Sequence, residues 1–348
     1  MPARYLILTL LFIAAGSAAS PVSGGYREAV FSVSDVDAYT SFFETVAGWD
    51  VLHRGRVDPV LLSAWGLPDG AGAQHVVLGN PGTTRGYVRL VEFENVEQRV
   101  IRSNAQTWDT GGWFDVNSRV LSMAETFAAI TARGWQAYSD PVEFAFGPFV
   151  VKEWLARGPD GIVIAVIERV APPLEGWPQL RRMSRLFNAT QIVADIDDAR
   201  GFYLNTLGFL TYLDHSGPSE SPGPNVLGLP HNLAATVPRH VSIVHPHGSN
   251  EGSVELLQFD GADGADFSMH AVPPNLGILM LRFPVSDADA LHARLREHGV
   301  EPEFRHVSVD LPPYGRQRVT AVRGPGGAWI EFLSDAEPSD EQRQGGRR

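Results

Sequence analysis

The chain has 348 residues, 44% of them hydrophobic and 20% charged, the profile of a folded globular protein about two domains long. Its 28 Lys and Arg against 40 Asp and Glu give a formal charge of −12. That balance argues against nucleic acid or an anionic membrane surface as partner, because phosphate recognition needs a basic face. No cysteine is present, which excludes disulfides, thiolate metal sites and cysteine nucleophiles together and leaves carboxylates, imidazoles, hydroxyls and backbone for any chemistry.

Residues 1–19 read as a secretory signal. Arg4 gives a positive start, Tyr5 to Ala15 carry no charge, and Gly16-Ser17-Ala18-Ala19 supplies small residues for a cut before Ser20. The apolar run is short for a bilayer span. The expectation is export to the periplasm with no membrane insertion after cleavage.

Beyond the signal the chain repeats itself. Val33-Ser34-Asp35-Val36-Asp37 recurs as Val193-Ala194-Asp195-Ile196-Asp197. Each run leads into a helical stretch, with Phe42-Phe43 in one and Phe202-Tyr203 in the other, closed by Gly48-Trp49 and Gly208-Phe209. Trp65-Gly66-Leu67-Pro68 matches Leu227-Gly228-Leu229-Pro230, His75-Val76 matches His240-Val241, and Val88-Arg89-Leu90 matches Val254-Glu255-Leu256. A shorter repeat lies within each half: Arg157-Gly158-Pro159-Asp160-Gly161 returns as Arg323-Gly324-Pro325-Gly326-Gly327, between strand-like runs. The periodicity predicts four units of strand, helix and further strands, at about 26–95, 108–170, 185–261 and 275–335. The proline- and arginine-rich stretch 171–184 reads as a linker, and 336–348 as a polar tail.

The run from Val193 to Phe209 and the closing run Arg323 to Phe332 resemble the vicinal oxygen chelate superfamily, which includes glyoxalase I, bleomycin-resistance proteins and extradiol dioxygenases. The resemblance implies an α+β fold of four βαβββ modules, paired into glyoxalase-like domains at 20–170 and 185–335 whose sheets curl into cups. It also implies metal ligands on the first and last strand of each module. Carried onto this chain, those places are Asn188, Glu255, Met280 and Glu331 in the second half, and Glu28, Arg89, Asp115 and Ala165 in the first. Glu255, Glu331 and Asn188 are then the candidate ligands of one hard divalent cation such as Mn or Mg, an oxygen set that suits Zn or Fe less well. The thioether of Met280 is a poor fourth ligand, so Met280 joins Asn188 and Arg89 as a substrate contact. An arginine at the centre of the first cup repels a cation, and its fork is expected to pair with Glu28 and Asp115.

Glu255 and Glu331 also stand out from the residues alone. Both interrupt apolar runs, and a buried carboxylate needs a metal, a cation, a hydrogen bond or its own proton. They are the candidate catalytic carboxylates, with His240 as an acid/base beside Glu255; the plainer alternative for His240 is a strand-end histidine in solvent. Tyr314, just before the last hairpin, is a candidate ligand contact at the cup mouth, with turn packing as its alternative. His245-Pro246-His247 reads as a surface loop, and the acidic run Asp260 to Asp266 as a junction. No G-x-S-x-G elbow, phosphate loop or H-E-x-x-H occurs.

Two functions follow as expectations. One is an exported lyase or isomerase acting on an oxygenated small molecule through carboxylates of the C-terminal cup. The other is a metal-free binding or sequestration protein of the bleomycin-resistance type. Ring-cleaving dioxygenase chemistry is disfavoured because no histidine holds a matching position. The expected partner is a small molecule, for a monomer or homodimer.

Overall fold

The computed structural model describes residues 20–262 and 264–335; the expected signal 1–19, its cut before Ser20 and the tail 336–348 lie outside the described residues. The first unit comprises β1 (Glu28–Ser32), α1 (Val36–Phe42), β2 (Asp50–Arg56), α2 (Pro59–Ala64), β3 (Gly72–Gly79) and β4 (Tyr87–Glu94). The second has β5 (Asp115–Val120), α3 (Met123–Thr131), β6 (Gln136–Ala137), β7 (Val142–Phe146), β8 (Phe149–Arg157) and β9 (Val163–Ala171). The third has β10 (Met183–Ile192), α4 (Ile196–Arg200), β11 (Leu210–Gly217), α5 (His231–Ala234), β12 (Arg239–His245) and β13 (Ser253–Phe259). The fourth has β14 (Gly277–Pro284), α6 (Ala288–Glu297), β15 (Phe304–Asp310), β16 (Arg316–Arg323) and β17 (Trp329–Asp335). Four βαβββ units in an α+β fold are thus present as the repeats predict.

The strand-to-helix turn has the same chemical cause in every unit. Asp35, Ser122, Asp195 and Asp287 sit extended before their helices and accept a hydrogen bond from a first-turn backbone N–H, which satisfies a donor left open by the helix geometry. The first and third helices widen into π-type turns over 43–47 and 201–206. Gly48 and Gly208 end these segments at φ 73°, a left-handed conformation that costs glycine little, and the next residue, Trp49 or Phe209, drops into the core.

Strand pairing corrects the expected grouping of sequence neighbours. One sheet runs β15-β16-β17-β14-β1-β4-β3-β2, joining unit one to unit four. The other runs β11-β12-β13-β10-β5-β9-β8-β6, with β7 on β8, joining units two and three. The two cups therefore do not coincide with the halves 20–170 and 185–335. Each first strand pairs in parallel with the last strand of its own unit, leaving its other edge open for an antiparallel partner: β1 with β14 and β5 with β10. The connections after β4 and after β13 carry the chain from one sheet to the other, and they pair with each other at Thr110 and Asp266.

The convex faces and the helices share one apolar core drawn from all four units, including Phe31, Phe43, Trp113, Trp154, Tyr203, Phe209, Phe283 and Phe332. Such burial contributes about 1.5–3 kcal/mol per large side chain. The concave faces differ: one is filled by a second apolar cluster around Trp65, Val91, Met280 and Leu333, whereas the other carries a smaller cluster around Phe114, Leu155 and Leu257 beside an open cavity.

Candidate functional site

Sheet register sets the counterparts between the cups. In the cup of units one and four, Glu28 lies opposite Arg282, Arg89 opposite Val30, and Glu331 opposite Arg282. In the cup of units two and three, the same places hold Asn188 opposite Asn117, Glu255 opposite Thr190, and Ala165 opposite Asn117.

The first of these cups is closed by its own charges. Arg89 grips Glu28 with Nε to Oε1 at 2.8 Å and Nη2 to Oε2 at 3.1 Å. Arg282 donates from Nη1 to Glu28 at 2.8 Å and from Nε to Glu331 at 2.7 Å. Trp65 Nε1 donates to Glu331 at 2.6 Å, and the Tyr314 hydroxyl donates to Glu28 at 3.1 Å. Arg89 also reaches His75 Nδ1 at 3.0 Å and the Pro312 carbonyl at 2.6 Å. Burial alone would raise the Glu28 carboxyl, but Arg89 and Arg282 outweigh it and hold it at about 2. Burial, and then Arg89, pushes His75 down to about 3, so its ring is neutral and accepts from the guanidinium. Two arginines and two glutamates cancel here, and all four are at most 1% exposed.

The second cup is open, with a cavity of about 280 Å³. At its floor the amides satisfy one another. Asn117 Nδ2 donates to Asn188 Oδ1 at 2.9 Å and to Asp115 at 3.2 Å, while Asn188 Nδ2 donates to Ser253 at 2.9 Å. Leu227 lines the cavity, in the place where Trp65 donates to Glu331 in the closed cup. Three carboxyls face this space: Asp115 from β5, Glu153 from β8 and Glu255 from β13. Glu153 and Glu255 have no ion pair or hydrogen bond with any described residue. Burial raises Asp115 to about 7, against the pull of Thr190 and Arg102. Burial and then Asp115 raise Glu153 to about 8, with Arg119 opposing. Burial, then Asp115 and Glu153, raise Glu255 to about 8. At neutral pH Glu153 and Glu255 carry protons and can donate hydrogen bonds as well as accept them, while Asp115 is about half ionised.

The residues singled out in the sequence are thereby divided. Asn188 and Glu255 do meet, in the open cup. Glu331, Arg89, Met280 and Tyr314 lie in the closed one, so the expected metal set of Glu255, Glu331 and Asn188 is split between two sheets. Arg89 forks onto Glu28 as expected, but Asp115 belongs to the other cup. Met280 is fully buried in apolar packing, and Tyr314 closes over Glu28. Neither is placed to meet a ligand of the open cup. Among the described residues no group of three or more His, Asp or Glu side chains could hold a metal ion. The residues present do not fit the divalent cation that the resemblance implies.

His240 is corrected by a single residue of register. The strand pairing puts Val241 opposite Leu257 and His75 opposite Val91, so His75 corresponds to Val241 and not to His240. Because side chains alternate along a strand, one residue of slip turns His240 to the outer face. There its Nε2 pairs with Asp260 at 2.7 Å and its Nδ1 with Ser216 at 2.9 Å. His245 is a buried loop anchor whose Nδ1 accepts from His247 N at 2.9 Å. Glu153, Arg119 and Arg169 escaped sequence reading. Their signal was alternation: Val151-Glu153-Leu155 and Asp115-Asn117-Arg119 each place a charge on the face of the strand that points into the cup.

Residues 185–332 match the family model of the glyoxalase/bleomycin resistance protein/dioxygenase superfamily. The solved structure of glyoxalase I from Zea mays is similar over 94% of this chain and 98% of its own, at 14% identity and a TM-score of 0.56. A single-substitution variant of that enzyme aligns over 90% and 92%, at 15% identity and 0.57. A Bacillus subtilis protein described as a candidate dioxygenase aligns over 93% and 90%, at 15% identity and 0.54. At such identities the likeness concerns the fold. No curated protein sequence matches the chain.

Proposed function

We propose that the chain is a four-unit relative of the vicinal oxygen chelate superfamily, whose family model matches residues 185–332, and that its open cup acts on a small oxygenated molecule by metal-independent proton transfer, of lyase or isomerase type. The observation that carries this reading is the contrast at equivalent places: the closed cup neutralises each of its carboxylates, whereas the open cup leaves Glu153 and Glu255 facing a cavity with no partner. Carboxyls raised by burial and facing a cleft are candidate functional groups.

The roles follow from the environments. Asp115 lines the cavity and is raised only to about 7, so at neutral pH its ionised form is available as the base that takes a proton from carbon. Glu153 and Glu255 hold their protons to higher pH and donate to the substrate oxygen on which charge develops. Their mutual repulsion keeps all three from ionising together near neutrality.

The test is hydrogen–deuterium exchange at carbon, followed by NMR, over a panel of small carbonyl compounds with the protein in D2O. Exchange that falls at least about 100-fold in Asp115→Asn supports the proposal. Compounds that bind but never exchange favour the second reading, a binding protein, which the aromatic and aliphatic walls around Phe114, Phe187 and Leu257 also suit.

Export is part of the same proposal: a mature N-terminus at Ser20, read by N-terminal sequencing, supports it, and an intact Met1 contradicts it. A monomer suits the pairing of each unit's first strand with another unit of the same chain.

A further inference from the structure

Two guanidiniums at the rim of the open cup lack the partners that cationic side chains ordinarily have. Arg119 on β5 lies opposite Ile167 on β9, and Arg169 stands two residues further along β9, so both project from the same face of neighbouring strands. Neither makes an ion pair or a side-chain hydrogen bond with any described residue, and the Nε of each is buried without a partner. An unsatisfied buried donor of this kind is unfavourable until a ligand meets it.

Their planes are nevertheless fixed. Arg119 lies over the Phe187 ring at 4.4 Å and over Trp177 at 5.6 Å, and Arg169 lies over Phe149 at 3.9 Å. Stacking occupies the face of a guanidinium and leaves its in-plane N–H donors available, which is the arrangement a bidentate oxyanion needs. The nearby acids do not fill that role. Glu251 is engaged by Arg185 and Arg85, and Glu153 keeps its proton until about pH 8.

Resting on the reading of the open cup as the functional one, we infer that its ligand is a small organic carboxylate with a flat apolar body, whose carboxylate is clamped by Arg119 and Arg169 at the rim while its body lies inward along the aromatic walls. One negative charge complements the half-buried arginine pair, and the cavity of about 280 Å³ admits a body the size of a single substituted ring. The floor beyond is lined by protonated carboxyls, which suit hydroxyl or carbonyl oxygen and offer a second anionic group nothing to pair with.

The test is titration calorimetry on the mature chain at pH 6.5, in a buffer free of carboxylate and phosphate. The probes are phenylacetate, phenyl phosphate, 2-phenylethanol and phenethylamine. Phenylacetate is expected to bind at least tenfold more tightly than 2-phenylethanol. Arg119→Gln or Arg169→Gln is expected to remove that tenfold while leaving 2-phenylethanol unchanged, and Arg316→Gln, exposed on β16, should change neither. The comparison of probes on the unaltered chain stands even if a variant folds poorly. Equal affinity for acid and alcohol, or tighter binding of the amine or the phosphate, overturns the inference. If such probes still bind, and Ile243→Trp in the cavity wall blocks them, the open cup keeps its role and only the carboxylate clamp falls. If nothing binds, or binding survives Ile243→Trp, the cup assignment falls as well.

Discussion

The two cups are built on the same strand plan, yet one has spent its charges on itself and the other has not. In the closed cup Glu28, Arg89, Arg282 and Glu331 form a neutral network sealed by Trp65 and Tyr314. At the corresponding places the open cup has Asn188, Glu255, Asn117 and Ala165, with Leu227 where Trp65 stands. Removing both arginines and one indole leaves a cavity and acids with nothing to pair with. In this scaffold a carboxylate's role is set by the cation beside it rather than by its position on the strand.

Removing one member of each network should separate the cups most strongly. Glu28→Gln or Arg282→Met leaves a buried charge uncompensated and should destabilise the fold by about 3–5 kcal/mol in denaturant unfolding. Glu255→Gln removes a carboxyl whose ionised form the fold already disfavours, so it should be neutral or stabilising, most visibly at pH 8. Equal losses for both would mean that the cups are not electrostatically distinct.

Next in size is the exchange of the two sealing residues. Trp65→Leu removes a buried hydrogen bond to a charged oxygen and should cost about 1.5–3 kcal/mol or more as packing is also lost. Leu227→Trp should leave the thermal midpoint nearly unchanged while abolishing ligand binding, because it fills the cavity of the open cup only.

Stability against pH separates the cups with opposite signs. Glu153 and Glu255 hold protons up to about 8 in the fold but lose them near 4.5 when unfolded. Asp115 does the same between 3.8 and about 7. The folded chain therefore binds more protons across that range, and stability should fall as pH rises from about 4 to 8. Glu28 acts in the other direction: its contribution is present above about 4.5 and is lost as pH falls toward 2. Ligand affinity should fall over the same upper window, since ionised Asp115, Glu153 and Glu255 then oppose an anion that Arg119, Arg169 and Arg239 attract, with His215 also on the wall. Urea unfolding from pH 4 to 9 checks the first trend, and calorimetry checks the second. The smallest expected effect is that of His240→Ala, which should leave ligand binding where it is because the imidazole lies on the outer face.

The four units, the helix-closing glycines Gly48 and Gly208 and the paired turns at Gly158 and Gly324 were legible in the sequence because each depends on local spacing and side-chain chemistry. So was the need of Glu255 and Glu331 for partners, since a charge inside an apolar run announces its burial. The partners themselves were not legible. Glu331 is answered by Trp65 and Arg282, the first of them 266 residues away in sequence. Which first strands would pair was equally hidden, because adjacent and crossed pairing satisfy the same strand pattern. His240 shows the limit in miniature: motif matching placed it one residue off the sheet register, and one residue is enough to change the face.

The most direct measurement is a carboxyl ¹³C NMR titration of the mature chain, with Asp115→Asn, Glu153→Gln and Glu255→Gln used to assign the signals by loss. The account predicts that these three groups titrate between about pH 7 and 8 while Glu28 stays ionised down to about 2. Ordinary titration of all three open-cup groups near pH 4 would contradict it, because the open cup would then hold charged carboxylates and could not supply protons to a bound molecule at neutral pH.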